Sequence, residues 1–266
     1  MGGNRRLAAF VKTDYSEILR PKHSAPKENS EEVMFANEIE SNGFAVIPDV
    51  LDSASVDSLI NRLALIPPSN ATKQRGQRYF GIRNLLNVAP FVRELADSNQ
   101  VRSIVERVVG KQAQVVRGIF FDKTPEANWK VAWHQDLTIA VRSRKELAGF
   151  EGWSEKAGVI HVQPPAFVLE SILALRLHLD DASSENGALR VIPGSHTQGR
   201  LGSTEIERIK RETQPVSCPV RKGGVLAMRP LLLHSSSVSS THSHRRVVHL
   251  EFSSLELPES LEWHRS

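Results

Sequence analysis

With 266 residues, of which 40% are hydrophobic and 24% charged, the chain has room for one large domain or two small ones and needs no covalent staples to bury a core. Its formal charge of +4 is mildly basic, but Lys and Arg come in short runs such as Arg142-Ser-Arg-Lys145 without interleaved aromatics. That reads as a solvated face and excludes nucleic acid as the expected partner.

The N-terminus, Met-Gly-Gly-Asn-Arg-Arg, lacks the apolar segment of a signal peptide and has Arg6 where a myristoylation site has Ser or Thr. The single cysteine, Cys218, rules out an intrachain disulfide and suits a reducing compartment. No apolar run approaches the roughly 20 residues of a membrane span. A cytoplasmic protein is expected, with no membrane partner. Residues 1–30 are polar, with Pro21 and Pro26, and read as a loosely packed arm with one short helix. "SEEVMFANEIESNG" reads as a helix capped by Ser30 and ended by Gly43. "FAVIPDV" reads as a short strand. "DSASVDSLINRLALIPP" is a second helix, capped near Asp52 or Ser53 and stopped by Pro67-Pro68. "APFVRELADSNQVRSIVERVVG" gives one or two more, ending at Gly110.

After Gly110 the texture changes. "AQVVRGIFFDK", "WKVAWHQDLTIAV", "SILALRLHLDD", "ALRVIPGSH", "GGVLAMRPLLLHSS" and "RRVVHLEFSSL" are short, apolar and often alternating, with turns at Glu185-Asn-Gly187 and Pro193-Gly-Ser195. The expected class is mainly β with flanking α. Residues 31–266 read as one domain, with a mostly helical part at 31–110 and a β core at 111–256. Residues 142–167 read as a long connection between core strands, of the kind that covers a site.

Within "VAWHQDLTIAV", His134 and Asp136 are two residues apart, so in a strand they share a face while Gln135 turns away. A carboxylate near an apolar core needs a partner or a metal. His234 lies 100 residues downstream at the end of an apolar run, and Arg245 opens the next strand. Two histidines and one carboxylate form the facial set of non-haem Fe(II) oxygenases. Two further metal positions suit the 1-carboxylate and 2-oxo group of 2-oxoglutarate. Its far carboxylate then needs a fixed cation, which Arg245 supplies as a planar fork, with the Ser236 hydroxyl beside it. Alternation sends Arg245 and Arg246 to opposite faces, and the apolar companions of Arg246 (Val248, Leu250, Phe252) favour Arg245 as the clamp.

His161, His178, His196, His242, His244 and His249 lack that context and read as structural or surface residues. Cys218 has no nucleophile context, and "HSSSVSS" lacks the G-x-S-x-G elbow of a serine hydrolase. Trp133 reads as core. On "LALRLHLDD", Arg176, His178 and Asp180 form one polar face. Arg176 either contacts the cosubstrate or an acidic substrate, or pairs with Asp180 or Asp181; the sequence leaves these open.

Taken together, "NWKVAWHQDLTIAV", "LRLHLDDASSENGALRVIPGSH" and "LLLHSSS…HRRVVHLEF" resemble the phytanoyl-CoA dioxygenase family of Fe(II)/2-oxoglutarate oxygenases over roughly residues 33–255. The resemblance implies a double-stranded β-helix (a jelly-roll, cupin-like core) preceded by helices. It implies His134, Asp136 and His234 as catalytic iron ligands, Arg245 and Ser236 as the cosubstrate clamp, and Arg176 where other members carry a tryptophan beside the cosubstrate. Fe(II), 2-oxoglutarate and O2 would be consumed or held there, with succinate and CO2 released as a small molecule is hydroxylated or desaturated. Retention of Asp136 argues against halogenation. The rival readings are a non-catalytic jelly-roll binding module and a metal-dependent cupin enzyme that does not use 2-oxoglutarate. Substrate identity and oligomeric state are open at this level; an acidic small molecule is compatible with the charge.

Overall fold

The computed structural model describes residues 30–75, 78–241, 243–259 and 261–264; the proposed N-terminal arm lies outside them. Helix α1 (Ser30–Asn42) ends where Gly43 takes φ +85, and strand β1 (Phe44–Ile47) follows at once. Helix α2 (Ser53–Ala64) is capped by Asp52, whose carboxylate accepts the Ser55 N–H at 2.7 Å. It buries Val56, Leu59 and Leu63 on one side and ends ahead of Pro67-Pro68.

The next stretch departs from expectation. Strands β2 (Thr72–Arg75) and β3 (Arg78–Ile82) form a hairpin before α3 (Leu85–Val88), α4 (Phe91–Ala96) and α5 (Asn99–Val108). One arm, Thr-Lys-Gln-Arg, has no apolar residue, so no paired hydrophobic alternation marks the hairpin.

Strand β4 (Gln114–Lys123) follows as read. The run around His134 is split into β5 (Val131–His134) and β6 (Ile139–Val141), with Asp136 in the link between them. Residues 142–167 are not an irregular loop. They contain a hairpin, β7 (Glu151–Lys156) and β8 (Val159–Gln163), followed by α6 (Ala166–Glu170). Strands β9 (Ile172–His178) and β10 (Leu189–Val191), helix α7 (Ser203–Glu212), and strands β11 (Val216–Cys218) and β12 (Val225–Met228) come next. The apolar run before His234 is also split. Pro230 follows shortly after β12 ends, and His234 starts β13 (His234–Ser236) rather than closing a long strand. Strand β14 (Arg245–Ser253) is the last.

Every pairing between these strands is antiparallel. A seven-stranded sheet runs β1-β12-β9-β14-β4-β3-β2, a four-stranded sheet runs β11-β10-β13-β5, and β6-β8-β7 form a third. The large sheet has a different partner on each face. Leu173, Leu175, Leu177 and Leu179, with Val248, Leu250 and Phe252, pack in one cluster with Ile39 of α1, Val56 of α2, Val92 of α4 and Ile104 of α5. Full burial of each such side chain contributes about 1.5–3 kcal/mol. The alternate residues of β9 and β14 face the smaller sheet, and there the pattern turns polar: Arg176, His178, Arg245, His249 and Glu251, all buried. The two-residue period of a strand therefore sorts one sequence into an apolar core and a charged interior. Among the described residues, no helix is long and apolar enough to cross a membrane.

Candidate metal and anion site

Register builds the centre of the site. His134 of β5 lies directly opposite His234 of β13, and their rings stand 4.2 Å apart between centroids. Asp136 is no longer in a strand; its backbone N–H donates to the Pro230 carbonyl at 2.9 Å, which turns its carboxylate back to the two rings. His134 Nε2 is 3.8 Å from Asp136 Oδ1, and His234 Nε2 is 3.8 Å from Asp136 Oδ2. All three ligand atoms lie within 4.8 Å of one another. Gln135 points away, as alternation requires: its amide donates to the Gly199 and Leu231 carbonyls and accepts the Leu201 N–H.

The tautomers are set by the backbone. His134 Nδ1 lies 2.9 Å from the Ala132 carbonyl and His234 Nδ1 2.9 Å from the Leu232 carbonyl. A carbonyl can only accept, so Nδ1 carries the proton and Nε2 offers its lone pair inward, as metal-bound histidines do. Burial and neighbouring charge keep His234 neutral, with its pKa down at about 4; Asp136 raises it against that trend. For Asp136, burial favours the neutral acid, but His234, His249, His134 and Arg117 together hold the carboxylate ionised, at about 2. Two neutral imidazole nitrogens and one carboxylate oxygen are thus presented together, the donor set of a divalent metal with open positions.

The three groups open into a cavity of about 170 Å³ whose walls include Trp129, Phe121 and Ile119. At its far end the charges are positive. Arg245 is 5% exposed, and its Nε and one terminal nitrogen have no hydrogen-bond partner among the described residues. Lys123, its cross-strand neighbour on β4, is 1% exposed and donates to Ser236 Oγ at 3.0 Å and the Ser237 carbonyl at 2.6 Å. Burial, then Arg245 and Arg176, pull the Lys123 ammonium down to about 8. Burial likewise brings Arg176 and Arg245 to about 10. His178, buried beside both arginines with neither ring nitrogen bonded to a described residue, is held neutral. Buried cations left without counter-ions are costly unless an anion joins them. This end of the cavity has the chemistry of a carboxylate receptor.

His134, Asp136, His234, Ser236, Arg245 and Arg176 all line this cavity. The ion-pair alternative for Arg176 is overturned. Asp180 is taken by Arg246, which reaches it through two nitrogens at 2.7 and 2.8 Å, while Arg176 meets His249 Nδ1 at 3.3 Å and stacks 5.6 Å from the Phe121 ring centre. Residues 142–167 contribute nothing to the described cavity wall, because β8 pairs with β6 on the third sheet. His244 binds Asp122, and Trp133 packs beside Ile192, Ile209 and Leu233. Cys218 is buried, its thiol raised to about 12 and unreactive. His242 lies outside the described residues.

Sequence reading missed Lys123, His249, Glu251 and Arg117. Glu251 accepts from Arg117 at 3.1 Å and lies 3.2 Å from His249 Nε2, a chain of polar groups leading toward Arg176. The signal was available: Arg117, Ile119, Phe121 and Lys123 alternate on β4, as do Arg245, His249 and Glu251 on β14.

Comparison with known proteins agrees with this geometry. The sequence profile described as phytanoyl-CoA dioxygenase (PhyH) matches residues 39–247. The mouse phytanoyl-CoA dioxygenase domain-containing protein 1 is 26% identical over 204 residues, covering 70% of this chain and 59% of the mouse protein. The zebrafish protein of the same name is 23% identical, covering 59% and 51%. The chain therefore spans about three-fifths or less of these relatives' length. Among solved structures, EctD from S. alaskensis superposes with a TM-score of 0.66 at 17% identity, covering 88% of this chain and 82% of that one. SnoN, described as a non-heme alpha ketoglutarate dependent epimerase from nogalamycin biosynthesis, gives 0.63 at 18%, covering 84% and 83%. At such identities these structures establish a shared fold.

Proposed function

Because the chain belongs to the phytanoyl-CoA dioxygenase family, we propose that it is an Fe(II)- and 2-oxoglutarate-dependent dioxygenase. It hydroxylates or desaturates a small-molecule metabolite, with succinate and CO2 as co-products. One observation carries this reading: a 2-His-1-carboxylate donor set and two buried arginines, Arg176 and Arg245, that form no ion pair among the described residues share one cavity. A metal site alone would not need the cations, and an anion site alone would not need the imidazole pair.

His134, Asp136 and His234 would hold Fe(II), and Arg245, Ser236 and Lys123 would hold the distal carboxylate of 2-oxoglutarate. The bound metal and cosubstrate supply the activation of O2 that a protein side chain cannot. The chain's own residues bind and orient. The carbonyls of Ala132 and Leu232 fix the ligand tautomers, and the Lys123 ammonium positions Ser236 Oγ, which itself donates to the Gly187 carbonyl at 2.8 Å. Arg176 faces the cavity between Asp136 and the clamp, and Glu251 anchors His249 beneath it. Ile119, Phe121, Val131 and Leu189 keep part of the wall apolar and limit water. A cavity of this size suits a metabolite and not a nucleic acid. Residues 31–266 act as one oxygenase domain, a reading supported by the core that joins α1–α5 to β9 and β14. A single buried thiol supports a reducing, cytoplasmic setting.

The test is succinate formation from 2-oxoglutarate with Fe(II), ascorbate and O2 across a metabolite panel, together with calorimetric 2-oxoglutarate binding. Binding with turnover is expected; absence of both overturns the reading.

Gly187 offers a second check. It has φ +79, and a Cβ there would stand 2.5 Å from the Ser237 carbonyl, 3.1 Å from Lys123 Nζ and 3.3 Å from Ser236 Oγ. Gly187→Ala should therefore destabilise the fold by about 1–3 kcal/mol. It should also weaken 2-oxoglutarate about tenfold, equivalent to ~1.4 kcal/mol. Thermal melts and calorimetry read the two effects separately.

A further inference from the structure

A second recess opens on the outer edge of β4. Strand β3 pairs with β4 only at Gly81–Phe121 and Ile82–Phe120, then leaves through Arg83 and Asn84 into α3. Val116 to Ile119 are thus without a strand partner on that edge among the described residues, and β7–β8 come up from the other side. Between them is a recess enclosing about 20 Å³, with Arg83, Arg117 and Lys156 on its rim and Leu86, Val116 and Ile119 along its wall. Arg117 and Ile119 also line the metal-side cavity, so the two spaces share a wall.

The recess gathers three cations, two of them without a counter-ion among the described residues. Arg117 has Glu251, on the metal-cavity side. The side chains of Arg83 and Lys156 make no ion pair or hydrogen bond with any described residue, although neither is fully exposed. Among the described residues, no carboxylate lines the recess. Burial lowers both groups, and the charges acting on them are all positive: Arg117 on Arg83, and Arg83, Arg117 and Lys73 on Lys156. His161, on the same wall, is pushed to about 4 by burial and then by Arg117, Lys156 and Arg83. Folding concentrates like charge here, and among the described residues no carboxylate in the recess offsets Arg83 and Lys156, an arrangement that destabilises the empty protein and attracts an anion.

We infer that the Arg83–Lys156 recess anchors a carboxylate of the substrate, whose carbon skeleton crosses Ile119 toward the metal-side cavity. The inference rests on the oxygenase reading and narrows its substrate class to organic acids. An arginine fork matches a carboxylate's geometry. The cosubstrate has its own cations at the far end of the other cavity, so the two anions are held apart.

The test uses the full chain loaded with Zn(II) and saturating 2-oxoglutarate, so that the clamp around Arg245 is filled. Hexanoate, hexan-1-ol and inorganic phosphate are titrated separately while the side-chain Nε–Hε NMR resonance of Arg83, identified by its loss in Arg83→Gln, is followed. Hexanoate should shift it saturably, hexan-1-ol should not, and Lys156→Gln should weaken hexanoate at least fivefold. Lys156→Gln should melt no lower than wild type, since it removes a like charge. Equal shifts from hexan-1-ol, tighter binding of phosphate, unchanged affinity in Lys156→Gln or a lower melting temperature would each overturn the inference. Calorimetry with 2-oxoglutarate keeps the two readings separate. If wild type fails to bind it, the oxygenase reading falls; if wild type and both variants bind it alike while hexanoate does not bind, only the recess is lost.

Discussion

Asp136→Ala is expected to eliminate succinate formation and to reduce divalent-metal affinity by more than about 100-fold, the upper end of what loss of a ligand-orienting partner costs. The carboxylate is the charged member of the donor set, and each of its oxygens faces a different imidazole at 3.8 Å. Without it, two neutral histidines remain, held by their own strands through the Ala132 and Leu232 carbonyls. Stability should change little. The Asp136 backbone keeps its bond to the Pro230 carbonyl, and its side chain is 32% exposed, so truncation leaves no core void. Asp136→Glu should recover part of the metal affinity, because it restores the charge at a displaced position. Equilibrium dialysis with Zn(II) and a thermal melt separate loss of ligand from loss of fold. Uncoupled 2-oxoglutarate turnover persisting in Asp136→Ala would remove Asp136 from the ligand set.

The sequence reveals this site wherever alternation and chain order suffice, and hides it wherever register decides. His134, Asp136, His234 and Arg245 are legible because their spacing meets a chemical requirement that few other residues satisfy. Arg176 is not: only the β9–β14 register, which aligns it with His249, shows that it cannot reach Asp180. The β7–β8 hairpin escapes notice because its two-residue turn is Ala157-Gly158, with φ +57 and +74, where asparagine or aspartate before glycine would have signalled it. The break in the apolar run before His234 was written in Pro230 and was outweighed by the leucines around it. Lys123 was the costliest omission. A lysine at the end of an apolar strand reads as a solvated terminus, and nothing local shows that β14 and the chain after β13 close over it.

That lysine makes cosubstrate binding depend on pH in a definite direction. In the unliganded protein the Lys123 ammonium is held down to about 8, against an ordinary value of 10.5, by burial and by Arg245 and Arg176. Below pH 8 both folded and unfolded states carry the proton, and the folded state bears the full burden of the buried charge. Between about 8 and 10.5 the folded protein releases the proton while the unfolded chain keeps it, so the stability of the unliganded protein should rise across that window. A dianion in the clamp reverses the preference: it favours the ammonium, raises its pKa and takes up a proton near pH 8. 2-Oxoglutarate affinity should therefore be greatest below pH 8 and decline above it. At 100 times its dissociation constant the ligand should stabilise by about 2.7 kcal/mol, or about 5–10 °C for a chain of this size. Lys123→Met should remove the pH slope, raise the unliganded melting temperature near neutrality and weaken 2-oxoglutarate about tenfold or more, ~1.4 kcal/mol or above. Melts from pH 6.5 to 9.5 with and without 2-oxoglutarate, and calorimetry in buffers of different ionisation enthalpy, measure both halves of the linkage. An affinity that stays flat or climbs through pH 8, or a slope that survives in Lys123→Met, would show that Lys123 is neutral in the complex and that Arg245 and Arg176 hold the distal carboxylate without it.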